Sequence, residues 1–134
     1  MDPSLHWDDD GKWATLPPMT DTPTPAHGSC HCGAVTLTVP HAPEWVNSCN
    51  CSLCRRTGAL MAYYPDGAVE VTGETRAYVW GDRMIGIHHC PVCGCLTHWR
   101  TLGEDFGKMG MNARLLDGFD PAAVEVRAVD GASW

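Results

Sequence analysis

The sequence predicts a single all-β domain, and three observations predict it. Short apolar or β-branched runs follow one another closely, turn residues separate them, and no window sustains a 3.6-residue period for three helical turns. Short strands at such spacing make a mostly antiparallel domain. The 134 residues suit one domain with a real core, too short for two.

Residues 1–27 stand apart from this pattern. Asp2, Asp8, Asp9, Asp10 and Asp21 face a single Lys12, and Pro17, Pro18, Pro23 and Pro25 interrupt regular structure. Low hydrophobicity with net charge does not offset ordering entropy, so this segment is expected to be a mobile acidic tail. Trp7 and Trp13 are the hydrophobes by which it would dock as a strap. From Gly28 onward, residues 28–134 read as the domain proper.

The first strand signal in the domain is Val35, Leu37 and Val39 alternating with Ala34, Thr36 and Thr38, which gives one buried and one polar face until Pro40 stops the run. Further runs lie at Leu60–Tyr64, Val69–Thr72, Arg76–Trp80, Ile85–His89 and Leu96–Trp99. Pro65-Asp66-Gly67, Gly73-Glu74 and Gly81-Asp82 supply turns between them. Met109–Leu116 and Val124–Val129 also read as extended, with Asp117–Pro121 as the break. Trp45, Trp80 and Trp99 lie in or beside strand segments and are expected in the core, where only two phenylalanines compete for volume.

Charge and hydropathy remove several functions. Nine Lys and Arg against sixteen Asp and Glu give a formal net charge of -7, which argues against an electrostatic grip on nucleic acid or an anionic membrane. No stretch approaches the roughly 18 apolar residues of a spanning helix. The start lacks the basic flank and apolar block of a signal peptide, so the sequence predicts a cytoplasmic protein. In that compartment eight cysteines argue for metal rather than disulfides.

The cysteines form three clusters: Cys30-His31-Cys32, then Cys49-Asn50-Cys51-Ser52-Leu53-Cys54, then Cys90-Pro91-Val92-Cys93-Gly94-Cys95. In an extended chain residues i and i+2 project from the same side, so Cys-x-Cys grips one ion from a strand. Cys-x-x-Cys does so from a tight turn, and Gly94 supplies the backbone freedom that such a knuckle needs. A closed tetrahedral site takes four ligands, so no cluster completes one alone and distant clusters must meet. Counting leaves two arrangements open: two closed sites, or one closed site and one with three protein ligands and an open position. Zinc suits such thiolate sites, and an iron–sulfur cluster shares their ligand type.

Gly28-Ser29-Cys30-His31-Cys32-Gly33-Ala34-Val35, Cys49-Asn50-Cys51-Ser52-Leu53-Cys54-Arg55-Arg56-Thr57-Gly58-Ala59 and Cys90-Pro91-Val92-Cys93-Gly94 together resemble the glutathione-dependent formaldehyde-activating enzyme (GFA) family, which includes centromere protein V. Met111-Asn112-Ala113-Arg114-Leu115-Leu116-Asp117 is similar to the asparagine-containing strand after the last knuckle in many members. The likeness spans Gly28 to Asp117 and leaves the tail outside. It implies a β-tent of two small antiparallel sheets pinned by zinc, with two zinc ions per chain. Cys30, Cys32, Cys90 and Cys93 would hold the structural zinc; Cys49, Cys51 and Cys54 would hold a second zinc with an open position.

Cys95 departs from the pattern, and the sequence leaves three roles for it: an extra ligand of the second site, a spare thiol beside it, or a packed core residue. Arg55 and Arg56 would neutralise thiolate charge or receive a glutathione carboxylate; the plainer reading puts them on the solvent face. His31, between two ligand positions, is expected to point away from the metal. His88 and His89 precede the last knuckle, where His89 would fill a packing role, and His98 is a candidate proton carrier that nothing in the sequence places near the site.

The resemblance further implies carbon–sulfur lyase chemistry of the S-(hydroxymethyl)glutathione synthase type, in which glutathione or a related thiol adds reversibly to formaldehyde or another small aldehyde. A thiol-binding carrier module without turnover is the alternative. A redox sensor cycling Cys93 or Cys95 through a disulfide is the third reading. The expected partners are therefore a small thiol and a small aldehyde, with no nucleic acid and no membrane.

Overall fold

The computed structural model describes residues 5–7, 13–15, 24–103 and 107–133, the first two segments and residue 133 by backbone alone. In the tail, β1 (Leu5–Trp7) pairs antiparallel with β2 (Trp13–Thr15), with Trp7 opposite Trp13. Both strands lie ahead of the four prolines. The remainder of the stretch to residue 23, and with it the docking of Trp7 and Trp13, lies outside the described residues.

Two sheets build the domain. The smaller has the order β3-β4-β7, from β3 (Ala26–Ser29), β4 (Thr36–Val39) and β7 (Glu70–Thr72). The larger contains β5 (Trp45–Cys49), β6 (Met61–Pro65), β8 (Arg76–Tyr78), β9 (Ile85–His89), β10 (Leu96–Thr101), β11 (Lys108–Asn112) and β12 (Glu125–Val129), in the order β12-β5-β6-β11-β10-β9-β8. All of its pairings are antiparallel except β12 with β5, which run parallel. A parallel pair needs a long crossover. Here the whole stretch of chain from β6 to β11, in both sheets, supplies it, a non-local arrangement that strand periodicity does not announce.

The strand signals of the sequence correspond closely to β4 and β6–β12. Besides β1 and β2, two strands of the domain are not among them. β3 begins at Ala26, two residues ahead of the boundary drawn at Gly28, and β5 begins at Trp45 between Pro43 and the second cysteine cluster. Alternation in β5 is masked because one of its faces carries Asn47 and Cys49 rather than apolar residues. Extension at Met109–Leu116 holds only to Asn112; Ala113–Leu115 turns into a 3-10 helix whose Arg114 N–H bonds the Asn112 Oδ1 at 3.2 Å.

The faces of the large sheet do different work. Leu37 and Val39 from β4 pack with Val46, Ala62, Tyr64, Met109 and Met111, forming the core between the sheets. Each of the leucine, valine and methionine side chains contributes on the order of 1.5–3 kcal/mol by burial. On the opposite face Met61, Ile87, Leu96 and Trp99 form a second cluster, with Leu53 of α1 (Ser52–Thr57) packed against it. Trp80 is 38% exposed and lies outside both clusters, so its expected core role is corrected: it sits in the turn after edge strand β8, where nothing covers it completely.

Gly28 joins the small sheet to the 3-10 turn that follows β11. A Cβ built there would lie 2.2 Å from the Leu115 carbonyl oxygen and 2.7 Å from the Leu116 Cα, so only glycine lets these backbones meet. Asp117 N–H bonds the His27 carbonyl at 2.9 Å beside this contact.

Candidate metal centre

Strand ends carry the cysteines. Cys30 and Cys32 occupy the turn between β3 and β4; Cys90 directly follows β9, and Cys93 stands in the turn to β10. Their four sulfurs lie within 4.8 Å of one another. Cys30 Sγ to Cys32 Sγ is 3.6 Å, as is Cys32 Sγ to Cys90 Sγ. Four thiolates set tetrahedrally about 2.3 Å from one ion would have edges of roughly 3.8 Å, so the spacing fits a metal. Backbone N–H groups point at the same sulfurs: Val35 N–H on Cys30 at 3.3 Å, Ala34 on Cys32 at 3.5 Å, Val92 on Cys90 at 3.4 Å. Such donors stabilise thiolate charge and fix ligand direction. Gly94, with φ of 82°, lets its N–H return to the Cys90 carbonyl and close the knuckle.

Packing these thiols together splits their proton affinities. Backbone N–H groups of Cys95 and Cys32 hold Cys93 down to about 5, whereas Cys32, despite the Ala34 N–H, is pushed up to about 11 by burial and by its three thiol neighbours. A bound cation removes that competition.

The second cluster forms where β5 ends and α1 starts. Cys49 is the last residue of β5, Cys51 caps α1 through its sulfur, which accepts from the Cys54 N–H at 3.3 Å, and Cys54 lies inside the first turn. Their sulfurs also lie within 4.8 Å of one another. Burial, and then the Cys51 and Cys49 thiolates, push Cys54 up; Cys51 is pulled down, its burial outweighed by the Cys54 N–H and the surrounding thiols. Among the described residues this cluster holds three ligand atoms, the first holds four.

A cavity of about 520 Å³ adjoins the three-thiol cluster. Cys49 and Cys54 line it, together with Arg55, Arg114 and Asp130. Arg114 Nε donates to the Gly58 carbonyl at 2.7 Å, which pins its guanidinium at the wall. Asp130 accepts from Asn50 Nδ2 at 3.0 Å, and Asn50 Oδ1 accepts from the Ala132 N–H at 2.9 Å, so the chain after β12 closes one side.

The paired arginines therefore separate. Arg55 borders the cavity, while Arg56 donates to the Ser52 carbonyl at 2.9 Å and lines a separate groove with Leu53, Tyr78 and Trp80. Cys95 lies by the first cluster: the His31 N–H reaches its sulfur, but burial and the Cys93 and Cys30 thiols drive its proton affinity up. It is not grouped with Cys49, Cys51 and Cys54. His31 is exposed, and His89 is half-buried. His98 is 2% exposed and stacked on His88 with centroids 4.4 Å apart, away from the cavity lining.

Sequence reasoning did not single out Arg114, Asp130 or Tyr63. Arg114 carries no signal beyond its place in the Met111–Asp117 likeness; Asp130 is brought in by the parallel β12–β5 pairing. Neither the Asn47–Tyr63 contact nor its relation to Cys49 leaves a motif in the chain.

Fold and thiol clusters define a small β-sheet protein with two groups of cysteines placed to hold metal ions. The chain belongs to the glutathione-dependent formaldehyde-activating enzyme family, whose model matches residues 25–127. A candidate glutathione-dependent formaldehyde-activating enzyme of Halomonas elongata is 43% identical over 70 residues; the match covers 50% of this chain and 41% of that protein, less than half its length. A Rhodobacter sphaeroides protein of known crystal structure is similar with a TM-score of 0.65 and 30% identity, over 77% of this chain and 99% of the other. Among the described residues, no helix is long and apolar enough to cross a membrane.

Proposed function

We propose that this chain adds glutathione, or a closely related thiol, to formaldehyde or another small aldehyde, as a carbon–sulfur lyase with zinc in both cysteine clusters. One observation carries the reading: the three-thiol cluster, unlike the four-thiol one, opens on a cavity walled by two arginines. Glutathione bears two carboxylates and one ammonium group, and Arg55, Arg114 and Asp130 offer the complementary charges. Arg55 and Arg114 would receive the carboxylates and orient the thiol toward Cys49 and Cys54, while Arg56 acts elsewhere. The four-thiol cluster ties the sheets together.

The all-thiolate donor sets favour zinc among the common divalent ions. When bound in the open cluster, it supplies positive charge that keeps an incoming thiol ionised, and a thiolate is the stronger nucleophile. A reducing, cytoplasmic setting would keep these cysteines available as ligands.

The test is the rate of thiol–aldehyde adduct formation with and without the zinc-loaded protein. Acceleration supports the enzyme; thiol binding without acceleration would instead identify a carrier.

A further inference from the structure

We propose that Tyr63 is a catalytic residue of this reaction, its hydroxyl donating a hydrogen bond and then a proton to the aldehyde oxygen as the carbon–sulfur bond forms. The inference rests on the thiol-addition reading above, which leaves the acid unassigned.

Register places the phenol. Along β5, Trp45, Asn47 and Cys49 alternate onto one face of the sheet. Asn47 lies opposite Met61 in the β5–β6 pair, and Tyr63 is two residues further along on the Met61 face. Asn47 Nδ2 donates to the Tyr63 hydroxyl oxygen at 3.0 Å. Antiparallel register sets Tyr63 opposite Trp45, so its hydroxyl reaches back along the strand to Asn47, and Cys49 follows Asn47 on the same face, roughly 7 Å further on. A small carbonyl compound would bridge the phenol and the cluster, whose Cys49 and Cys54 charges act on Tyr63.

The hydrogen-bond arithmetic leaves the phenol ready to donate. Asn47 uses an acceptor site on the oxygen, so the phenol proton remains available, and no acceptor takes it among the described residues. The ring is held on several sides: Trp45 at 5.9 Å and Trp99 at 6.0 Å between centroids, with Lys108 Nζ 5.1 Å from the Tyr63 centroid. Burial, opposed by the Asn47 bond, and the nearby Cys49 and Cys54 charges raise the phenol pKa, which keeps it protonated at neutral pH.

Tyr63 is not part of the arginine cavity lining. The two reactants are therefore assigned separate approaches: the thiol from the cavity, the aldehyde from the sheet face that carries Asn47, Cys49 and the Tyr63 hydroxyl. The rival acid, His98, is pushed down to about 3 by burial, His88 and Arg100, so it carries no extra proton at neutral pH.

The chemistry balances. A sulfur lone pair forms the bond to the carbonyl carbon while the π pair moves to oxygen. That oxygen takes the Tyr63 proton, and the phenolate regains one from water, into which the thiol released its own.

The test compares wild-type protein with Tyr63→Phe, both zinc-loaded, using glutathione and formaldehyde. The variant keeps the ring, so zinc content and the KM for glutathione should stay unchanged while kcat falls about a hundredfold. Adding both reactants should also perturb the tyrosine ultraviolet difference spectrum of the wild type but not of the variant. A kcat within about threefold of wild type overturns the assignment. So does a fall in kcat matched by loss of zinc, which would mark a structural role. Wild-type protein without turnover overturns the lyase reading and this inference together; a turning-over wild type with an equally fast variant overturns the inference alone.

Discussion

The sulfurs of Cys32 and Cys90 lie 3.6 Å apart although 58 residues separate them in the chain. The first belongs to the turn of the small sheet, the second directly follows β9 of the large one. A cation between them would cross-link the two sheets, so the domain's cohesion should depend on this cluster. Cys90, fully buried, is its most sensitive member. Cys90→Ser should abolish cooperative folding, since structural zinc binding of roughly 10 kcal/mol rivals the whole stability of such a domain. Cys49→Ser should lose one metal equivalent and keep the fold. Thermal melts by circular dichroism, paired with metal analysis, check both; equal effects of the two changes would contradict the division of roles.

Gly28→Ala should destabilise by about 3 kcal/mol or more, because its methyl group meets backbone atoms rather than a movable side chain. Denaturant titration measures this. Gly110 makes a useful contrast: a Cβ there collides with the Trp99 indole at 2.0 Å, so Gly110→Ala should displace Trp99 and change its fluorescence.

His98 predicts a pH dependence. Its folded pKa, near 3, lies below the ordinary 6.5, so below pH 6.5 the unfolded chain takes up a proton that the folded chain refuses. Stability is therefore lost as pH falls, by about 2 kcal/mol between neutrality and pH 5 from this residue. Subtracting the profile of His98→Gln isolates the contribution from metal-ligand protonation. Parallel profiles for the two proteins would contradict it.

Arg114→Ala and Arg55→Ala should each raise the KM for glutathione about tenfold, the cost of one charge-assisted hydrogen bond. Arg56→Ala should leave it unchanged, because Arg56 lines the other groove. Steady-state kinetics with these three variants separates neighbours that the chain places side by side.

Much of this architecture was legible from local chemistry. Alternation around Leu37 marks β4, and cysteine spacing marks the turns that carry both clusters. What spacing could not provide was the partnership between clusters. Cys-x-Cys at 30–32 and Cys-x-x-Cys at 90–93 meet because β3, β4 and β9 converge, a tertiary fact that counting left open and the family resemblance selected. The same limit hid Arg114 from the site: it reaches the cavity through a bond to Gly58, 56 residues away. Tyr63 read simply as a strand residue, since its role depends on which of two sheet faces holds Cys49. Arg55 and Arg56 show the converse, adjacent in sequence yet parted by the curvature of a six-residue helix.

The central claim is that Cys49, Cys51 and Cys54 hold a zinc that accepts a thiol from outside. Zinc-edge absorption spectroscopy on the loaded protein, recorded while glutathione is titrated in, addresses it directly. The account predicts an added sulfur neighbour at one of two zinc ions, reaching saturation at one thiol per chain. Two zinc ions already saturated by protein sulfur, with a spectrum indifferent to glutathione, would contradict it.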